Sequence, residues 1–188
     1  MARVSRWAIA LVSPSAEESI RYDGKRNRLE SGPVPRRHAH RVGRVMASVT
    51  RSLGLPVAAR EVWSLIGEFG AVDRWFPGVE DIKLRQTNAG LERVVMFGGT
   101  EFVERLVEVD DEAMCVVYTM PAPPLPISHH RARLSVTADG DANCTVTWRA
   151  TFDADDEVLA MVDDAMGKHT FQVGLDALAA WFGGRGQA

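Results

Sequence analysis

The chain has 188 residues, of which 46% are hydrophobic and 25% charged, with a formal net charge of -3. Such values describe one globular domain with an appendage, long enough to bury a core or enclose a cavity, and no run approaches the roughly 18 apolar residues that a membrane span requires. Cys115 and Cys144 have neither metal-ligand nor disulfide-framework spacing, so the expected setting is a reducing cytoplasm.

In chain order, the stretch before Met46 is basic. Arg3, Arg6, Arg21, Lys25, Arg26, Arg28, Arg36, Arg37, Arg41 and Arg44 face only Glu17, Glu18, Asp23 and Glu30, which leaves the remainder acidic. The apolar run Trp7 to Val12 is too short for the core of a signal peptide. The basic stretch lacks interleaved aromatics, helical periodicity and a reader motif, so nucleic acid is not an expected partner. Residues 1–45 read as a disordered extension, or as an over-long start, since Met46 stands directly before the first strand-like run. The folded domain is expected over residues 46–184.

Ser48 to Leu55 has the pattern of a strand. Pro56 then opens a helix over Ala58 to Ile66, because proline is tolerated in a first turn. Gly67, Gly70 and Pro77 interrupt the helical period, which predicts a second short helical piece over Gly67 to Trp75. Strands follow at Val79 to Gln86, Leu91 to Phe97, Thr100 to Val109, Met114 to Met120, Ser128 to Ala138 and Asn143 to Phe152. Turn formers separate them, and the Gly98-Gly99 pair suits a two-residue hairpin. Asp155 to Trp181 reads as one long helix, with Asp153, Asp155, Asp156 and Glu157 near its start and Phe171, Leu175, Leu178 and Phe182 recurring along it. Meandering strands make an antiparallel sheet of about seven, and the long helix covers one face of it, an α+β arrangement.

Alternation identifies that face. Cys144, Val146, Trp148, Ala150 and Phe152 point one way on the last strand, and His130, Ala132, Leu134 and Val136 share the inner phase on the strand before it. Small side chains such as Ala132 and Ala150 beneath the helix leave room for a cavity. His129 and His130 point to opposite faces, so they cannot jointly chelate a metal, and neither a metal nor a cofactor is expected.

The order of elements, with "VWSLIGEFGAVDRWFPGV" at Val62 to Val79, "VERLVEVDD" at Val103 to Asp111, "YTM" at Tyr118 to Met120 and "TVTWRATFDA" at Thr145 to Ala154, resembles the START-like (Bet v 1-like, helix-grip) superfamily. Within it the chain is most similar to the polyketide cyclase/dehydrase and lipid-transport family. The resemblance covers about Met46 to Phe182. It implies a helix-grip fold, in which the sheet wraps around the long C-terminal helix and two short helices after the first strand plug one end. Trp63 and Phe69 would then be core, and Trp75 and Phe76 would border the cavity. Plant abscisic-acid receptors are more distantly similar, and their mobile loops fall here on Phe97 to Thr100 and on Pro121 to Ile127, which contains Leu125.

The implied function is binding or transport of a small, mainly hydrophobic molecule, such as a polyketide, a lipid or an isoprenoid. The alternative is a polyketide aromatase/cyclase-type enzyme, with Glu104 or His130 as acid or base. Glu104, inward on the resemblance, reads either as such a group or as a structural anion paired with an arginine. His130 reads as a group that orients a polar ligand atom or as a satisfied semi-buried histidine. Tyr118 and Trp148 are lining or plain core, and Val162 and Met166 share a stripe that roofs the cavity or fills the core.

Overall fold

The alternating runs of the sequence become strands in the computed structural model of the protein, which describes residues 43–183. The strands are β1 (Arg44–Leu55), β2 (Val79–Thr87), β3 (Gly90–Phe97), β4 (Thr100–Asp110), β5 (Cys115–Thr119), β6 (Ser128–Ala138) and β7 (Cys144–Asp155). They form one antiparallel sheet in the order β1-β7-β6-β5-β4-β3-β2. Each turn from β2 to β7 joins neighbours, as short connections between antiparallel strands require. β1 and β2, consecutive in sequence, lie at opposite edges because the helical segment between them carries the chain across. The sheet grips a long C-terminal helix, the helix-grip arrangement expected from the sequence.

β1 begins four residues earlier than its alternation suggests. Val45 and Met46 are exposed, so no burial pattern marks them. Pairing extends the strand instead: Arg44 lies opposite Asp155 and Val45 opposite Ala154, and the Arg44 guanidinium donates to Ser128 Oγ at 2.7 Å. Of the expected N-terminal extension, residues 1–42 lie outside the described residues, and Arg44 and Val45 belong to the sheet.

The first short helix, α1 (Ala59–Ile66), buries Val62, Trp63 and Ile66. Trp63 also donates from Nε1 to Asp111 Oδ1 at 2.9 Å, which ties α1 to the β4–β5 turn. The second short piece contracts to a 3-10 turn, Val72–Arg74. At the other end of the chain, the expected single α-helix is a composite. A 3-10 turn (Asp156–Val158) and one α turn (Leu159–Val162) lead into a π-helical stretch (Asp163–Phe171), and regular α-helix resumes over Gln172–Gly183. Within the π-helical stretch Thr170 Oγ1 donates to the Ala165 carbonyl, five residues back, at 3.0 Å.

Leu175 and Leu178 on the final α segment are fully buried together with Val146, Ala150 and Phe152 of β7 and Ala132 of β6. The alanines let the helix approach the sheet on this side. Towards β3 and β4 the helix and the sheet diverge, and the space between them stays open.

Candidate functional site

Where they diverge, the fold encloses a cavity of about 270 Å³. Val95 and Phe97 of β3, Phe102 and Glu104 of β4, Tyr118 of β5, His130 of β6 and Trp148 of β7 line the sheet side, while Val72 and Phe76 close one end. Met161, Ala165, Met166, His169 and Phe171 come from the C-terminal helix, and Pro123, Pro124 and Leu125 from the loop between β5 and β6. Met161 is exposed and Pro124 lies at the surface, so helix and loop form the rim.

An aromatic chain frames the apolar part. Phe76 meets Phe97 at 5.8 Å and Trp148 at 6.2 Å, both edge to face, and Trp148 stacks on Phe171 at 4.6 Å. Such rings supply rigid apolar area with few rotamers to lose. Gly98 and Gly99, with φ of 57° and 75°, make the tight turn that brings Phe97 beside Phe102 at 6.5 Å.

The polar groups gather on one side. Arg93 donates from Nε to Glu104 Oε2 at 2.5 Å and from Nη1 to the Phe69 carbonyl at 2.7 Å. Its guanidinium also sits 4.4 Å from the Phe69 ring centre and 5.2 Å from that of Tyr118, a cation-π arrangement. Arg93 and Glu104 are both buried. The Tyr118 hydroxyl accepts from Trp148 Nε1 at 3.0 Å, and burial, then the nearby Glu104, push its pKa above the usual phenol range. His130 Nδ1 accepts the Met120 amide at 3.2 Å. Burial lowers the His130 pKa to about 4, so the ring is neutral at pH 7 and its proton resides on Nε2.

The bulge between Ser128 and Arg131 separates the two histidines of β6. His129 adopts φ of 51° and turns outward, its Nδ1 lying 2.7 Å from Asp153 Oδ2, while His130 turns in. No cluster able to hold a metal ion exists among the described residues. Glu92, on the opposite face of β3, is buried between Arg105 and Arg85, whose hydrogen bonds hold its carboxyl below the usual range. It packs on the other face of the sheet and does not line the cavity.

Phe76, Phe97, Glu104, Tyr118, Leu125, His130, Trp148 and Met166 therefore come together around one space. Trp75 and Val162 do not reach it. Trp75 packs behind the lining, 5.8 Å from both Phe76 and Trp148. Val162 is fully buried, and Met161, Ala165, Met166 and His169 are the side chains that this part of the helix brings to the cavity, where the π-helical stretch widens the spacing of its turns. Arg93 was not expected at the site, although a signal for it exists. The Gly98-Gly99 turn pairs Phe97 with Thr100, and counting back along both strands sets Arg93 opposite Glu104.

The model of a family described as polyketide cyclase / dehydrase and lipid transport matches residues 46–182. Among solved structures, a solution NMR structure of a Thermobifida fusca protein is 44% identical, with a TM-score of 0.66, over 72% of this chain and 93% of that one. XoxI from Bacillus cereus is 25% identical over 72% of this chain and 95% of its own, with a TM-score of 0.64. Norcoclaurine synthase from Thalictrum flavum, in complex with dopamine and hydroxybenzaldehyde, shares the fold at 16% identity, with a TM-score of 0.61 over 84% of this chain and 96% of that one. No curated relative matches the chain.

Proposed function

The chain belongs to the polyketide cyclase/dehydrase and lipid transport family, and from that premise we propose that it binds and carries a small, mainly apolar molecule in the cavity beneath its C-terminal helix. The observation that carries this reading is the cavity itself, about 270 Å³ walled by Phe76, Phe97, Phe102, Trp148 and Phe171. An apolar concavity with a few convergent polar groups is the usual form of a small-molecule site. A polyketide, a lipid or an isoprenoid has the required apolar body. Among the described residues no helix is long and apolar enough to cross a membrane, and the cysteines Cys115 and Cys144 are buried free thiols. The free thiols support a reducing setting for the carrier, and a cytoplasmic location is part of the proposal.

The competing reading, an aromatase/cyclase in which Glu104 or His130 moves protons, has less behind it. Arg93 engages Glu104 as the partner of a structural ion pair, and His130 spends Nδ1 on the Met120 amide. Native mass spectrometry of the purified protein should show a co-purifying molecule of apolar character. Protein that is reproducibly empty and takes up no apolar probe would refute the carrier reading.

A further inference from the structure

The hydrogen bonds at the polar side of the cavity leave a definite remainder. Arg93 uses Nε and Nη1, and among the described residues Nη2 has no hydrogen-bond partner. Glu104 uses Oε2, which leaves Oε1. The Tyr118 oxygen accepts from Trp148, so its own O–H remains to donate. With Nδ1 of His130 engaged by the Met120 amide, its Nε2–H is likewise unspent. All four residues line the cavity, and they are contiguous: Arg93 lies over the Tyr118 ring, and the Tyr118 and His130 rings are 6.1 Å apart. The remainder on these four residues is thus three donor groups and one acceptor, contiguous on one wall of a cavity lined mainly by aromatic and aliphatic side chains.

Charge narrows what fits there. The Arg93 cation is already neutralised by Glu104 at contact distance, and His130 contributes no charge at pH 7. Asp164 adds a further anion to the lining, next to His169 at 3.5 Å. A ligand carboxylate would enter a low-dielectric space with no uncompensated cation to receive it, and such a burial is costly. A neutral oxygen has the opposite fit: it accepts from the donors, and if it is a hydroxyl its proton reaches Glu104 Oε1.

We propose that Arg93, Glu104, Tyr118 and His130 form an oxygen-recognition subsite, and that the cargo is an uncharged aromatic or polycyclic molecule bearing a hydroxyl or carbonyl at one end. The oxygen faces this wall, and the apolar body lies along Phe76, Phe97 and Trp148. The inference rests on the carrier reading and adds to it the orientation and the charge of the ligand.

Three probes of one ring system separate the two claims: naphthalene, 1-naphthol and 1-naphthoate, titrated into the full chain at neutral pH by calorimetry, for wild type and Tyr118→Phe. 1-Naphthol should bind about fivefold or more tighter than naphthalene, the increment of a typical neutral hydrogen bond. It should also exceed 1-naphthoate by roughly tenfold or more, because the acid must shed its hydration without a counter-charge. In Tyr118→Phe the ratio of 1-naphthol affinity to naphthalene affinity should shrink towards one, a readout that cancels any change common to both probes. Naphthalene binding without preference for 1-naphthol, or 1-naphthoate binding as tightly, would overturn the subsite and leave the carrier reading standing. An undiminished preference in Tyr118→Phe would overturn the assignment of these residues, and failure of all three probes would overturn both claims. Should Tyr118→Phe fail to fold, the ranking of the three probes on wild type still decides the matter.

Discussion

Arg93 stabilises the fold chiefly through what its absence would leave behind. Without it, Glu104 is a buried carboxylate facing an aromatic cavity, and uncompensated buried charges are strongly destabilising. Arg93→Met should lower the unfolding free energy by about 3 to 5 kcal/mol, measured by urea denaturation. The double variant Arg93→Met with Glu104→Leu should recover most of that loss, since an apolar pair of similar volume has no charge to desolvate. Equal losses in the single and the double variant would show that packing of the guanidinium on Phe69 and Tyr118, and not the charge, is what counts. His130 supplies a second residue-scale expectation. Its folded pKa of about 4 lies below the ordinary 6.5, so the unfolded chain binds this proton more tightly. Stability tied to His130 is complete above about pH 6.5 and is lost as pH falls towards 4. Relative to His130→Phe, wild type should lose about 2 to 3 kcal/mol across that window. A wild-type-minus-variant difference that stays flat from pH 7 to pH 4 would place the titration elsewhere.

The C-terminal helix carries two functions along its length, and its residues differ accordingly. The π-helical stretch borders the cavity and spreads its side chains more widely than an α-helix does. Gly167 within it lies against the Arg51 guanidinium, which pairs with Asp163 at 2.9 Å and fastens the stretch to β1. The following α segment is the packing half. Gly174 stands where an added Cβ would come within 2.8 Å of Trp148 and 3.0 Å of Phe76, two rings held by their own neighbours. On an exposed helix, glycine to alanine gains up to about 1 kcal/mol. Here the clash should prevail, and Gly174→Ala is expected to destabilise by about 1 to 3 kcal/mol, as overpacked cores do. A higher urea midpoint for this variant would mean that the two rings yield more easily than their contacts imply.

At the scale of the whole molecule, the edge strand β1 depends on where the chain enters the sheet. Arg44 and Val45 extend β1 along β7, and the Arg44 bond to Ser128 reaches across to β6. Removal of residues 1–42 should leave the thermal transition within about 2 °C of the full chain, since a shift of that size is less than 1 kcal/mol in a domain of this length. Cutting three residues further, to begin at Met46, removes that bond and two strand positions and should lower the transition measurably. A large loss of stability from the shorter deletion would show instead that the basic segment contributes to the fold.

Sequence alone determined most of the scaffold. Turn residues at Gly98-Gly99 and Asp139-Gly140-Asp141 limit where strands reverse, and period-two burial on β6 and β7 leaves one face for the helix. Both signals are local, which is why they could be read without knowing what packs on what. The cavity lining was readable in the same way where strand phase decides a residue's face, as for His130 and Trp148, while Phe97 and Tyr118 entered through the family resemblance. Tertiary structure decided the rest. Trp75 lies behind the lining because it packs against Phe76 and Trp148, two rings that reach the cavity, and its contact with Trp148 is made across the fold between segments distant in sequence. Met161 and not Val162 lines the cavity, and the helix beyond them is π-helical over Asp163–Phe171, a change of period that no residue type marks in the sequence. Arg93 reaches Glu104 across a strand pair, and the Phe69 carbonyl that completes its hydrogen bonding comes from a segment 24 residues away. Hairpin register could place Arg93 opposite Glu104, but local propensity carries no information about the Phe69 carbonyl or about burial, on which the energy of the ion pair depends.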